Sequence, residues 1–544
     1  MAFFQSLKNL GAAKKRKKPS PPGQDKPGEN INPTQPYTRE ELISLKVDHN
    51  LNRNLNHINN LLGHNADYVQ RKFVLGHDQT LEAAIIFLDS MIDPALLGGE
   101  IMKPLLEPRL KDSSGSEMLK LLTNGGLISR AQMETFNHFQ GVVSNVLTGE
   151  VALFVEGFAH CFIISSKGYK SRSIPEPHYE NAVRGPREAF VENISINISL
   201  LRKRLVTPNL VFENITLGKI SSTNISIVYI KGLASEGLIE EVRERLRRIE
   251  TDAILESGYL ESFIVDNPRS PFPQLGNTER PDRVAGDLLE GRVAILTDTT
   301  PLVLIAPGEL MSFLQTSEDY YTKYQWSTFV RWLRFFSLFL ALTLPSLYIA
   351  ITTFHQEMLP TTLFVSVAAA RKGVPFPAVV EALIMEVLFE TIREAAIRLP
   401  ANISNTISIV GALVLGQAAV QANIVSPLMI IIVAATGVAS FTIPQYSLST
   451  AVRLIRFPLM LLSAVLGLFG LMVGLLAVLL HLCSLRSFGV PYLSPIAPFN
   501  WDGIKDTLLR SAHWSKVNRP QELVQRNRQR MKENLQPGTP DKLG

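Results

Sequence analysis

The chain has 544 residues, which is more than one domain usually holds, so several domains are expected. Its two cysteines, Cys161 and Cys483, lie far apart and exclude both a disulfide framework and a Cys/His metal cluster. The net charge of +5 suits an anionic membrane surface better than sequence-specific binding of nucleic acid.

Residues 1–36 are predicted to form a disordered basic tail. A run of basic residues, Lys14 to Lys18, precedes a segment rich in proline and glycine that cannot form a core. The run either contacts anionic lipid or stays solvated. The apolar stretch at the N-terminus is too short for a cleaved signal peptide, so we expect the N-terminal part to be cytoplasmic.

An internal repeat with a constant offset of 142 residues fills most of the N-terminal half. Three blocks match at this offset without an insertion: residues 71–76 with 213–218, 85–88 with 227–230, and 142–153 with 284–295. We infer two copies of one α/β unit, over residues 37–170 and 185–315. The fold class predicted for this soluble half is therefore α/β, with two repeated subdomains.

Each copy is expected to contain a strand, a β-branched strand, helices and a two-stranded hairpin. The hairpins are predicted over Glu150–Phe154 with Cys161–Ser165 and over Arg292–Leu296 with Leu302–Ala306. A helix over Glu188–Leu205 is expected to pack the copies together or to contact a neighbouring subunit. Neither copy contains a glycine-rich phosphate loop, a nucleophile elbow or a metal-ligand spacing. We therefore predict a protein that is not an enzyme and that uses no cofactor.

Residues 331–482 are predicted to form an all-α membrane domain. Trp326 and Trp332 make an interfacial collar before the first uncharged stretch. Four spans are predicted: Phe335–Phe354, Ile403–Val420, Val425–Phe441 and Leu459–Leu482. Four crossings would place Arg453 and Arg456 outside, against the positive-inside tendency. A fifth crossing near residues 359–372 would remove that conflict but would place the C-terminus outside.

The segment 375–400 stands apart because it carries glutamates within apolar sequence. On a helix, Glu386 and Glu390 lie opposite most of the apolar side chains, whereas Glu381 lies among them. Charges at membrane depth are costly unless they are paired or hydrated. The segment is thus predicted to be an amphipathic or re-entrant helix that lies against the bundle or lines a wet cavity. A plain amphipathic helix on the membrane surface is the alternative.

Other polar and small residues of this half complete the candidate sites. Gln417 and Asn423 join the glutamates as candidates for an ion path or its gate, with helix–helix hydrogen bonding as the structural alternative. Gly467, Gly470 and Gly474 are predicted to form a helix-packing seam, because small residues allow close approach. Residues 497–544 are predicted to be a basic C-terminal tail.

Four stretches of the sequence carry a family resemblance: residues 345–400, 411–444, 184–205 and 280–307. They begin PSLYIAITTFHQ, GALVLGQAAVQ, RGPREAFVENIS and RPDRVAGDLLEG, respectively. Together they resemble the A subunits of GerA-type nutrient germinant receptors of bacterial spores. The resemblance extends over nearly all of the chain from about residue 40 to residue 500.

The resemblance implies a multi-pass subunit in the inner membrane of the spore of a Bacillus-like organism. It implies a B subunit, which is transporter-like and senses the nutrient, and a C subunit, which is a lipoprotein. It also implies that the chain forms homo-oligomers and acts as a nutrient-gated cation channel. A non-conducting scaffold is one alternative. A secondary transporter is another, but it predicts inverted repeats that the membrane half does not show.

Overall fold

The computed structural model describes residues 36–75, 81–106, 133–166, 176–177, 180–398, 414–520, 522–524, 527–532 and 535–538. The predicted basic tail over residues 1–36 lies outside these ranges, except for Pro36. Residues 403–413 of the predicted span Ile403–Val420 also lie outside them.

The first sheet is antiparallel and has the strand order β1-β2-β4-β5-β3. Its strands are β1 Tyr68–Leu75, β2 Leu81–Leu88, β3 Met133–Phe136, β4 Val151–Val155 and β5 Cys161–Ile164. The surrounding helices are α1 Arg39–Ser44, α2 Leu51–Leu62, α3 Pro94–Leu96, a π-helical turn Leu97–Met102, α4 Lys103–Leu106 and α5 Phe139–Val146. Ile85 and Ile86 of β2 point into different core clusters, so the sheet is buried on both faces.

The second sheet repeats this order as β6-β7-β9-β10-β8. Its strands are β6 Leu210–Leu217, β7 Thr223–Ile230, β8 Gly276–Thr278, β9 Val293–Thr297 and β10 Val303–Ala306. Its helices are α6 Ile194–Arg204, α7 Glu236–Arg247, α8 Ser257–Ile264 and α9 Pro281–Leu289. The N-terminal half thus contains two antiparallel sheets with one strand order, as the repeat predicts. The subdomain limits 37–170 and 185–315 stay predictions.

A buried ion pair joins the two sheet units. Arg202 of α6 donates to both carboxylate oxygens of Asp67, from Nε at 2.8 Å and from Nη2 at 2.6 Å. Both side chains are almost fully buried. The helix between the copies therefore packs them together, as one of its two predicted roles required. It begins at Ile194 rather than Glu188, because Asn193 caps it by accepting from the backbone N–H of Ser195 and Ile196.

The C-terminal half is helical. It contains α10 Tyr324–Phe354, α11 Thr361–Arg371, α12 Ala378–Arg398, a π-helical turn Val414–Ala418, α13 Ala419–Gln421, α14 Pro427–Phe441, α15 Tyr446–Ser484 and α16 Trp501–Thr507. Short 3-10 turns lie at Ser312–Leu314, Ser317–Tyr320, Gln356–Met358 and His513–Ser515, and a small β-ribbon pairs Arg486–Ser487 with Val490–Pro491. Within the described ranges, α10 and α15 are long and apolar enough to span a membrane.

The helix α15 is folded back on itself at Gly467, where φ is 63° and ψ is −142°. A side chain at Gly474 would lie 2.4 Å from Leu459, and one at Gly470 would lie 2.2 Å from the carbonyl oxygen of Leu462. The arm before Gly467 and the arm after it are therefore in direct contact and antiparallel. The span predicted over Leu459–Leu482 therefore contains this turn, because glycine readily adopts the left-handed conformation that reverses the chain.

The C-terminal segment returns to the second sheet unit. The guanidinium of Arg519 donates to the carbonyl oxygen of Leu289, and Arg530 forms an ion pair with Glu290. Val524 is fully buried, and a side chain at Gly291 would lie 2.7 Å from it. Part of the predicted basic tail over 497–544 is thus folded onto the soluble half.

Candidate functional site: buried glutamates of helix α12

The glutamates singled out in the sequence lie on α12, between α10, α14 and the first arm of α15. Glu381 and Glu386 are almost completely buried, with exposed fractions of 0% and 1%. Glu390 is partly buried, with a side-chain exposure of 25%. The first part of the helix is therefore packed among neighbouring helices through Glu381 and Glu386, whereas Glu394 and Arg398 near its end are exposed.

Two ion pairs connect α12 to the first arm of α15. Arg456 Nη1 donates to Glu386 Oε2 at 2.6 Å, and Arg453 Nη1 donates to Glu390 Oε2 at 3.2 Å. Arg456 also donates through Nε to the carbonyl oxygen of Ala341 in α10, at 2.7 Å. We call these four side chains, Glu386, Glu390, Arg453 and Arg456, the ion-pair cluster. It ties three helices together at one level.

Glu381 has a different set of partners. Its Oε1 accepts from the backbone N–H of Ser426 at 2.5 Å and also from the Ser426 hydroxyl. Ser426 is the N-cap of α14, so the carboxylate lies at the N-terminal end of that helix, where negative charge is favoured. Arg371 Nε approaches Glu381 Oε2 to 3.8 Å. Glu381 therefore links α11, α12 and the start of α14.

Several buried polar atoms of these residues have no hydrogen-bond partner within the described protein. They include Glu381 Oε2, Glu386 Oε1, Glu390 Oε1 and Arg456 Nη2. Buried polar atoms are normally satisfied, so these atoms need water, an ion or another chain. The arrangement can thus hold paired charges inside an apolar bundle, where several of their oxygen and nitrogen atoms lack a hydrogen-bond partner within the described protein.

The remaining predicted residues lie outside the ion-pair cluster. Gln417 and Asn423 are exposed, and Asn423 lies in the turn before α14 with a positive φ of 55°. Gly470 and Gly474 lie on the second arm of α15 and face the first arm, whereas Gly467 forms the turn. The structure therefore does not gather all of the predicted polar residues around one path.

Sequence reasoning missed the partners of the glutamates. Arg453 and Arg456 entered the sequence analysis only as charges in conflict with the positive-inside tendency, but they lie inside α15 and are buried. The available signal was spacing: two arginines three residues apart can meet two glutamates four residues apart on an adjacent helix. Within the described residues, no group of three His, Cys, Asp or Glu side chains is placed to hold a metal ion.

A cavity of about 690 Å³ lies between the second sheet unit and the C-terminal segment. Arg292 Nη2 pairs with Glu309 Oε2 at 3.1 Å in its wall, and burial raises the pKa of Glu309 although the charge of Arg292 opposes this. Burial lowers the pKa of Lys516 to about 8, against the opposing effect of its ion-pair partner Asp506. The charged groups named here are thus paired within each wall of the cavity, Arg292 with Glu309 in the second sheet unit and Lys516 with Asp506 in the C-terminal segment.

A family profile described as Bacillus/Clostridium GerA spore germination protein matches residues 56–522. Among similar proteins of Bacillus subtilis (strain 168) is "Spore germination protein KA", which is 42% identical over 494 residues and covers 90% of each chain. "Uncharacterized membrane protein YfkQ" of the same strain is 44% identical over 474 residues, which are 87% of this chain and 91% of the relative.

A solved structure also matches the N-terminal half. It is the crystal structure of the N-terminal domain of the A subunit of the Bacillus megaterium spore germinant receptor GerK3, with 32% identity and a TM-score of 0.39. The match covers 48% of this chain and 96% of the solved chain. The profile match and the full-length relatives are sufficient to assign the family: this chain is a member of the GerA spore germination protein family.

Proposed function

We propose that this chain is the A-type membrane subunit of a spore germinant receptor and that its helical half opens a cation path when partner subunits sense a nutrient. Family membership supports the receptor role. The partners would be a transporter-like B subunit, a lipoprotein C subunit and further copies of this chain, as the resemblance implies. The sensing site would lie on another chain. This subunit would therefore convert nutrient binding by its partners into opening of the cation path.

The observation that carries the gating role is the ion-pair cluster between α10, α12 and α15. Paired charges inside an apolar bundle are stable in one arrangement and costly in any arrangement that separates them. A movement of α12 along α15 would exchange partners and expose the unsatisfied carboxylate oxygens of Glu386 and Glu390. Bundles of this kind switch between discrete packings rather than deform continuously.

The position of the C-terminal segment supports a membrane topology with an even number of crossings. That segment packs on the second sheet unit, so both soluble parts would lie on one side of the bilayer. The positive-inside rule concerns loops, and Arg453 and Arg456 lie within a helix as ion-pair partners. These arginines therefore do not argue against four membrane crossings or any other even number. The soluble half would be cytoplasmic.

A role of Glu381, which lies on α12 outside the ion-pair cluster, in the same movement of α12 is tested by spores that carry Glu381→Gln in place of the native residue. We expect nutrient-triggered cation release to be lost, because the neutral amide no longer presents a charge to Ser426 and Arg371. Glu394→Gln is the matched control, since Glu394 lies on the same helix in an exposed pair with Arg398. Both proteins must reach wild-type levels in the spore membrane. Normal release from the Glu381→Gln spores would refute a role for this residue in gating.

A non-conducting scaffold is the second candidate, and the internal pairing of Glu386 and Glu390 favours it. Carboxylates that are already neutralised by Arg456 and Arg453 can hold helices together without meeting an ion. Purified protein in liposomes, assayed for oligomeric state and for cation flux in the presence of its partner subunits and nutrient, separates the two. Flux that requires this chain supports the channel, and docking without flux supports the scaffold.

A further inference from the structure

All four tryptophans of the chain lie in two segments, one at the start of α10 and one after α15. Trp326, Trp332 and Trp501 are 59%, 60% and 58% exposed, respectively. Trp514 is partly buried and packs edge-on against Tyr324, with ring centroids 6.2 Å apart. Tryptophan is enriched at membrane–water interfaces. The grouping therefore indicates where such an interface would cross the molecule.

The first membrane helix defines that level. Residues Phe335–Phe354 form an uncharged stretch of 20 residues, which spans about 30 Å and matches the hydrocarbon core of a bilayer. Trp332 lies within one turn of the start of this stretch. Trp326 lies about 9 Å further out at a rise of about 1.5 Å per residue, which places the collar in the head-group layer.

A second segment, which follows the last membrane helix, is held at the same level. Trp332 Nε1 donates to the carbonyl oxygen of Leu508 at 3.1 Å, and Arg331 Nη1 donates to that of Thr507 at 3.2 Å. The backbone N–H of Arg510 donates to Thr328 Oγ1 at 3.1 Å. These bonds fix the end of α16 beside the collar.

The segment presents apolar side chains outward. Trp501 and Lys505 are exposed and lie about one turn apart on α16, whereas Ile504 points inward. Leu509, just beyond the end of the helix, is also exposed. Phe499 is 69% exposed, and its ring lies 6.1 Å from that of Trp501. Large exposed aromatic groups beside a membrane helix are costly in water and favourable in a head-group layer.

We propose that the segment Ile496–Leu509 binds the head-group layer of a phospholipid bilayer, next to the first membrane helix. The end of the segment is bonded to the collar, and the exposed ring of Trp501 lies within the length of α16, about 10 Å, of that end. The segment thereby anchors the C-terminal part of the chain to the membrane surface on the side of the soluble half. This inference rests on the proposed membrane location.

Quenching of tryptophan fluorescence by brominated phosphatidylcholine tests the proposal on the full chain in vesicles. Three single-tryptophan proteins retain Trp332, Trp501 or Trp514, with Trp→Phe at the other three positions. We expect bromines close to the head group to quench Trp332 and Trp501 strongly and Trp514 weakly. The quenching of Trp501 should not change with the protein-to-lipid ratio, because lipid rather than a second copy covers it.

The outcomes separate this inference from the proposed function. If Trp332 is quenched but Trp501 is not, or if Trp501 loses its quenching as the protein concentration rises, the lipid contact of the segment is overturned. If neither is quenched, the membrane location fails as well. A single change, W501F, in the otherwise native chain provides a milder variant, and it should remove one quenched component from the total emission. An unchanged quenched fraction would overturn the proposal.

Discussion

At the scale of single residues, the helical half is organised by charges that an apolar bundle would normally exclude. Glu386 and Arg456 are 1% and 2% exposed and form a direct pair. A buried pair contributes little net stability over apolar residues, but removal of one partner leaves an uncompensated charge. The cluster therefore specifies one arrangement of α12 against α15 more than it strengthens the fold.

Replacement of Glu386 by glutamine should destabilise the helical half by roughly 3–5 kcal/mol, because the charge of Arg456 stays buried without its counter-charge. Thermal unfolding of the detergent-solubilised protein measures this. Glu394→Gln, in the exposed pair with Arg398, should change stability by less than about 1 kcal/mol. Equal effects of the two substitutions would contradict the assignment of Glu386 to a buried pair.

A second residue-scale prediction concerns Glu261 in α8. Burial and the nearby charge of Glu256 raise the pKa of Glu261 from 4.5 to about 7. Between these values the folded state keeps a proton that the unfolded state has released, so stability should fall as pH rises from about 4.5 to 7 and then level off. Thermal unfolding between pH 4 and pH 8 checks this slope. Glu261→Gln should reduce the slope, and an unchanged slope would show that other groups cause it.

Residue-scale prediction from sequence was correct for the position of Glu381, but it placed Glu386 on the polar face, whereas the structure buries it, and it missed the ion-pair partners. Periodicity alone placed Glu381 among apolar side chains, and the structure buries it completely. Periodicity describes one helix, however, and carries no information on which helix lies opposite. The pairing of Glu386 with Arg456 joins residues 70 positions apart, and only the packing of the bundle brings them together.

At the scale of elements, the turn within α15 matters most. A hydropathy pattern shows only that the segment is apolar, and it cannot distinguish one long helix from two arms. The left-handed backbone at Gly467 decides between them. The repeated sheets were easier to predict, because an offset of 142 residues leaves the same strand order in both copies.

Spin labels at the two ends of α15 test the folded-back arrangement. Cys483 is exposed and native, and Tyr446→Cys supplies the second site at another exposed position. A straight helix would separate these sites by about 55 Å at a rise of about 1.5 Å per residue. We expect a far shorter distance by double electron–electron resonance, because both ends reach the second sheet unit. A distance near that of a straight helix would disprove the turn.

At the scale of the whole molecule, the C-terminal segment closes the chain back onto the soluble half. Neither composition nor periodicity predicts this contact. The basic residues after residue 497 read as a solvated tail, because isolated apolar residues such as Val524 are too few to indicate a docking site. The close approach of Val524 to Gly291 is a tertiary feature that only the folded chain shows.

Replacement of Val524 by aspartate should release this segment, because a carboxylate cannot be buried there without a partner. Limited trypsin digestion of the full chain should then cut at Arg528 and Arg530 faster than in the wild type. Leu535→Asp, at a residue that is 54% exposed, is the matched control and should leave the rate unchanged. Equal rates for all three proteins would show that the segment is not held in place.

The attachment of the soluble half to the helices has a mechanical consequence. The soluble half is bonded to the helices at three places. Asp319 pairs with Arg331 in α10, Asn277 bonds with Gln445 before α15, and Ser270 bonds with His481 near the end of α15. A domain that is attached at one point can rotate freely. A domain that is attached at three points cannot tilt without moving at least one of them. Since close-packed protein transmits strain, a partner that tilts the soluble half would shift the helix ends directly.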